Sequence, residues 1–290
     1  MIKALIKSMR LRTLPLSLAG VVCGGLLAMS GLGRDGNWWA FALVLLTACS
    51  LQVLSNLSNE MGDHLSGVDG EGREGPNYGM TDGGLTVKQM WCAINTMVVL
   101  CALSGLLMLL FSFQFSIFNY QFASLLALGA AAIWAATHYT LGKKPYGYIG
   151  LGDLFVFIFF GLVSVLGSYF VLAHTIVFEP RLICPAVGVG LLSVAVLNVN
   201  NIRDMASDEG LRKTIPLRIG EKFARWYQTF LIVVGTAMMC APDFRWWLGL
   251  PVGGIVVHLW MVWSRKGKKL DPALPVLVIS TFLLALLYAL

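Results

Sequence analysis

Two stretches of the chain gather carboxylates and amides at spacings that can do chemistry. The first runs from Asn56 to Asp69 and contains Asn59, Glu60 and Asp63. Asn59 and Asp63 are four residues apart, so on a helix they share a face. Asp69 follows Gly67 and is expected on a loop that folds back. The second runs from Asn198 to Asp208, and its Asn200, Asp204 and Asp208 fall at i, i+4 and i+8, a continuous helical stripe. Both stretches contain N-x-x-x-D. Facing carboxylates repel, and burying them together requires a cation. Mg²⁺ suits oxygen ligands and is usually held by one or two carboxylates together with water and substrate phosphates. Two such clusters can hold two Mg²⁺ ions around a diphosphate. Arg73, Lys143, Lys144, Arg203, Arg212 and Lys213 are the nearby cations for the remaining oxygens. The competing reading is a set of solvated helix-end charges, and the pairing of two matched clusters favours the metal. Glu60 lies off the stripe and reads as solvated.

A third polar stretch, His138 to Asp153, holds Lys143 and Lys144 among Gly, Pro and aromatic residues, which implies an ordered loop. The two lysines suit a phosphate, or are ordinary positive-inside charge. Tyr139 and His138 are candidates for a pocket wall, and Asp153 for a helix N-cap. The six cysteines sit in apolar runs and read as small buried hydrophobes. His174 and His258 lie away from the acids.

These residues need elements to position them. Of 290 residues, 57% are apolar and 12% charged, and mean hydropathy is +0.75. Too few charges are present to cover a soluble globule, or to form a broad nucleic-acid-binding face. The expected class is all-α: a polytopic membrane protein in the lipid bilayer. Its continuous runs suit helices rather than barrel strands. Nine spans are expected, near 12–32, 38–60, 89–113, 117–139, 153–174, 182–203, 223–242, 246–264 and 273–290. The basic N-terminus and first apolar run are read as a retained helix. With the N-terminus in the cytoplasm, 18 of the 21 Lys and Arg fall inside and only Arg34, Arg181 and Arg245 outside. This puts the C-terminus outside and all three polar stretches on the cytoplasmic side. One domain is expected, over 1–290. Two four-helix halves, about 12–139 and 153–264, face a shared site, and a ninth helix follows at 273–290.

The motifs carry a resemblance. Asn59-Glu60-x-x-Asp63 and Asn200-Asn201-x-x-Asp204-x-x-x-Asp208 resemble the two Asp-rich motifs of the UbiA superfamily of intramembrane aromatic prenyltransferases. Four stretches are similar to the branch that prenylates 1,4-dihydroxy-2-naphthoate in menaquinone synthesis. They are Arg10-Leu-Arg12-Thr13-Leu14-Pro15, Asn59 to Asp69, Tyr139 through Gly161, and Asn201 through Gly220. Glu60 departs from the Asp of many relatives. The resemblance implies nine helices around a central cavity under a cytoplasmic cap of loops. It also implies a bacterial inner-membrane location, Mg²⁺ held by Asp63, Asp69, Asp204 and Asp208 with Asn59 and Asn200 assisting, and a polyprenyl diphosphate and an aromatic acceptor as substrates. Asp63, Asp204 and Asp208 are then the catalytic carboxylates. Asn59, Arg73, Tyr139, Lys143, Asn200, Arg203 and Lys213 contact substrate.

The implied reaction breaks the allylic C–O bond with diphosphate leaving. A ring carbon attacks the cation, and CO₂ is lost. The work is electrostatic and positional, and the chain shows no nucleophile–base pattern. No obligate protein partner is implied. The alternatives are another acceptor, such as 4-hydroxybenzoate, and a secondary transporter. Against transport, the acids cluster at one face rather than at the midplane.

Overall fold

The computed structural model describes residues 1–32, 37–67, 76–113 and 120–290. The elements are α1 (Ile2–Ser8), α2 (Leu14–Leu32), α3 (Trp38–Ser66), α4 (Val87–Ser112), α5 (Tyr120–His138) and α6 (Gly152–Ala173). Then come α7 (Pro180–Arg203), α8 (Ile215–Ile219), α9 (Glu221–Cys240), α10 (Gly249–Ser264) and α11 (Ala273–Ala289). Among the described residues eight helical stretches are long and apolar enough to cross a bilayer. The remaining expected span is α9, 20 residues long, whose first turns carry Glu221, Lys222 and Arg225. The apolar runs fix where the helices fall because a bilayer leaves backbone polar groups no partner but the helix itself.

The first acidic helix runs further than expected. α3 continues through Ser66 and stops at Gly67, whose φ of +76° suits a residue without Cβ. Asn59, Glu60 and Asp63 are therefore all helical. The second does the reverse. α7 ends at Arg203, Asp204 is its cap with φ −92° and ψ 6°, and one further turn spans Met205–Asp208. The expected continuous stripe is broken at Asp204, and Asp204 pairs with Arg203 while Asp208 lies against Arg212.

The central helix is α7, packed on α9 and α6, with α2 and α11 closing behind. Glycines set how near α6 comes. A Cβ on Gly24 of α2 would lie 2.0 Å from the Val165 carbonyl oxygen, and one on Gly161 would lie 2.6 Å from the Gly190 Cα of α7. Small residues at such crossings let backbones touch, the main source of helix association in lipid. Between these contacts, Phe157–Gly167 is wound as a π-helix. Wide turns of this kind recur at functional sites.

The ends that carry the polar stretches all lie together. Lys7 pairs with Asp82, Arg203 with Asp271 at 2.8 Å, and Arg225 donates to the Arg265 carbonyl at 2.8 Å. Trp38, Trp39 and Trp246 are exposed, as expected of interfacial aromatics.

Candidate active site

The two acidic motifs meet through one side chain. Asp63 on α3 accepts a hydrogen bond from the Tyr148 hydroxyl at 2.9 Å, and its Oδ1 pairs with the Arg212 guanidinium. The Nε of Arg212 lies 3.7 Å from Asp208 Oδ1. Arg212 sits over the Tyr148 ring, 4.9 Å from its centroid. A cation thus spans carboxylates from helices far apart in the chain. Burial works against the Arg212 charge, but Asp63 and Asp208 outweigh it and raise its pKa. Burial, with Asp63 next, raises the Tyr148 phenol.

Two loops form the cap. The Lys213 N–H donates to the Tyr148 carbonyl at 3.0 Å, and Arg218 donates to the Ile149 carbonyl at 2.7 Å. Loop 139–151 is tied to α3 at Gly62, where a Cβ would lie 2.4 Å from Thr140 Oγ1. Thr140 in turn donates to the Ser58 carbonyl at 3.0 Å and to Asn59 Oδ1 at 3.4 Å. Lys143 and Lys213 are exposed on this cap.

Below the cap lies a cavity of about 340 Å³, lined by α2, α3, α4, α5, α6 and Leu197 of α7. Helices α2 to α5 supply most of its wall, and α6 with Leu197 of α7 supplies the rest. Asn59 and Tyr139 are at its polar end, and Val44, Met108 and Val171 at its apolar end. From Asn59 to Val44 is fifteen residues along α3, roughly 22 Å at 1.5 Å per residue. Gly129 of α5 lines the cavity and is exposed, and a Cβ there would meet nothing within 4 Å. Tyr146, Phe155 and Phe159 form an aromatic wall, with the first two stacked at 4.0 Å. Burial pushes the Tyr139 phenol up to about 12, Arg212 opposing and Asp63, Asp153 and Asp208 adding to it.

Other expected residues are placed differently. Arg203 is buried and committed. It pairs with Asp204 through Nε at 2.7 Å and Nη2 at 2.6 Å, with Asn200 Oδ1 at 2.8 Å and with Asp271 at 2.8 Å. Asn200 also donates to Asp204 at 3.3 Å. This network fastens α7 to the turn before α11, and Arg203 reaches no common point with Asp63. Glu60 is not solvated. It is fully buried, and its Oε1 accepts the Met80 N–H at 2.6 Å, pinning the loop that follows the first motif. Asp153 lies within the first turn of α6 and accepts from Tyr227 of α9 at 3.0 Å, so it is a cross-link rather than a plain cap. His138 is exposed and stacked on Trp134 at 5.0 Å. Asp69 and Arg73 lie outside the described residues. Tyr148 and Arg212 were legible as polar residues in the right loops, but nothing in their spacing shows that they meet.

Among the described residues no three His, Cys, Asp or Glu converge on one point. Asp63 and Asp208 already share one cation, and Asn59 and Asn200 stand a helical turn before Asp63 and Asp204. An all-oxygen bay with two carboxylates fits Mg²⁺, which takes its other ligands from water and phosphate.

The UbiA prenyltransferase family model matches residues 17–286. The 1,4-dihydroxy-2-naphthoate octaprenyltransferase of Escherichia coli is 42% identical, over 84% of this chain and 76% of that protein. The protein of that name from Haemophilus influenzae is 36% identical, over 97% of this chain and 92% of its own. Among solved structures, the apo UbiA homologue of Aeropyrum pernix superimposes with a TM-score of 0.68 at 15% identity, over 93% of this chain and 94% of that one. A UbiA homologue from Archaeoglobus fulgidus bound to GPP and Mg²⁺ gives 0.60 at 14% identity, over 96% of each. These structures share the fold, and the sequence match carries the rest: the chain is a multi-pass membrane protein that belongs to the UbiA prenyltransferase family.

Proposed function

We propose that the protein transfers a polyprenyl group from polyprenyl diphosphate to 1,4-dihydroxy-2-naphthoate, releasing diphosphate and CO₂, as a step in menaquinone biosynthesis. The observation that carries this reading is the apolar cavity with Asn59 and Tyr139 in its wall, Asp63 standing one helical turn beyond Asn59 and joined through Arg212 to Asp208. Relatives named for this activity support the acceptor.

In this reading Asp63, Asp208 and Asp204, with Asp69, Asn59 and Asn200, are the residues that hold Mg²⁺. Mg²⁺ bound there supplies charge neutralisation to the departing diphosphate. Lys143 and Lys213 on the cap bind the outer phosphate oxygens, and Arg73 takes the same role on its sequence position alone. Arg203 acts from behind, orienting Asp204 and Asn200. The prenyl tail lies in the cavity along α3 and leaves past Gly129 toward lipid. At the mouth, neutral Tyr139 donates a hydrogen bond, while Tyr146, Phe155 and Phe159 offer ring faces to an allylic cation. The naphthoate ring carbon attacks that cation, and loss of CO₂ restores the aromatic ring. The cap keeps water from the cation. We read the chain as one catalytic unit of two four-helix groups and a ninth helix, with the N-terminus and cap in the bacterial cytoplasm and the C-terminus outside.

The test is incubation of purified protein in lipid with a labelled polyprenyl diphosphate and a panel of aromatic acceptors, with and without Mg²⁺. Product with dihydroxynaphthoate and Mg²⁺ is expected. Product only with another acceptor, such as 4-hydroxybenzoate, would reassign the substrate.

A further inference from the structure

We propose that Arg212 is a placeholder for the divalent cation. Before metal binds it clamps the two acidic motifs together, and the arriving ion exchanges for it. The inference rests on the Mg²⁺ reading above.

The geometry is that of a cation already in the gap. Arg212 is paired with Asp63 on one motif and lies 3.7 Å from Asp208 on the other. All three side chains are nearly buried, 12%, 9% and 6% exposed. Buried carboxylates facing one another without a partner carry a heavy desolvation and repulsion cost. A guanidinium relieves it, and its flat face is supported by the Tyr148 ring beneath. The same Tyr148 holds Asp63 through its hydroxyl and the following loop through its carbonyl. The bay therefore keeps its shape without an ion. Arg212 itself follows Gly210, whose φ is +80°, and is attached to the cap rather than to a long helix. Its side chain can turn away while the backbone stays on Tyr148.

Charge balance gives the direction of the exchange. Once a divalent ion neutralises Asp63 and Asp208, a guanidinium between them is repelled. The diphosphate arriving with the ion brings new negative charge on the cap side, where Arg212 then pairs. One cation thus serves the empty bay and the loaded site in turn. Donor-free metal binding must displace an ion pair, whereas metal binding with diphosphate gives that ion pair a new partner.

The experiment uses the full chain in lipid nanodiscs, with Mn²⁺ as the probe, titrated by electron paramagnetic resonance with and without inorganic diphosphate. Arg212→Gln is expected to bind Mn²⁺ without diphosphate at least about tenfold more tightly than wild type, about 1.4 kcal/mol. Arg212→Lys, which keeps the charge but cannot fork to two carboxylates, falls between them. Lys222→Gln, an exposed cation at the start of α9 with no part in the site, stays at the wild-type value. Adding diphosphate narrows the gap between wild type and Arg212→Gln. In melting curves without metal, Arg212→Gln unfolds at lower temperature and gains more from Mn²⁺. If wild type binds Mn²⁺ and prenylates its acceptor, but Arg212→Gln binds donor-free metal no more tightly, the placeholder is overturned alone. The same holds if Lys222→Gln matches Arg212→Gln, since that is a general field effect. If wild type binds no Mn²⁺ even with diphosphate, the metal reading fails and takes the placeholder with it. Should Arg212→Gln fail to fold, the Arg212→Lys titration decides.

Discussion

Asp63 shows how much one side chain is asked to do. It takes a hydroxyl from Tyr148 and a guanidinium from Arg212, and it stands one turn past Asn59 at the cavity mouth. Replacing it by Asn keeps the shape and removes the charge. Asp63→Asn and Asp208→Asn are each expected to lower the prenyl transfer rate of order 10²–10³-fold, the usual loss when one preorganised electrostatic partner is removed. Retained membrane insertion and a normal melting curve would show that chemistry, not folding, was lost. Tyr139 gives a prediction with a sign. Its phenol is raised to about 12 from an ordinary value near 10. Below pH 10 it is protonated whether folded or unfolded, so Tyr139→Phe lowers activity without moving either limb of the pH profile between pH 6 and 9. Above pH 10 the unfolded chain releases this proton first. Stability is therefore lost as pH rises toward 12, and melting curves at pH 9 and 11 should show a smaller loss for Tyr139→Phe.

At the scale of the element, the site depends on how closely α3 approaches loop 139–151. Gly62→Ala would drive a methyl into Thr140, where both the side chain and the carbonyl oxygen lie within 2.6 Å. Overpacking of this kind costs roughly 1–3 kcal/mol. The expected result is a lower melting temperature and slower transfer, because the shift moves Tyr148 off Asp63. The helices themselves were readable in the sequence, because a run of about 20 apolar residues has little choice in a bilayer. So was the shared face of Asn59 and Asp63. The break at Asp204 was not, since i+4 spacing says nothing about whether a helix continues. The burial of Glu60 depends on a loop twenty residues away, and the Arg203–Asp271 pair on a turn 68 residues away. The π-helix in α6 falls where α6 meets glycines of α2 and α7, which composition does not reveal. Pairings between distant segments are set by packing, and local spacing carries no signal for them.

Across the whole molecule, most charged residues fall in the stretches that carry the cap, and the cavity runs from Asn59 and Tyr139 into the apolar bundle. Two consequences follow. Reporter fusions should place the N-terminus and the loop after α5 in the cytoplasm and the C-terminus outside; the reverse would move the cap away from the compartment assigned to it. Gly129→Trp should narrow the opening past α5. A geranyl donor fits within the cavity and should keep most of its kcat/KM, while a long polyprenyl donor loses it. Equal loss for both donors would mean that the tail leaves elsewhere.

The central claim is that the bay between the two acidic motifs is the place where a diphosphate leaves a prenyl chain that lies in the cavity. The most direct measurement is transfer of a labelled polyprenyl chain to dihydroxynaphthoate by purified wild type and Asp63→Asn protein in lipid, with Mg²⁺ and after chelation. The account predicts product for wild type with Mg²⁺, its loss on chelation, its return when Mg²⁺ is restored, and little product from Asp63→Asn throughout. Near-normal product from Asp63→Asn, or from wild type after chelation, would contradict it.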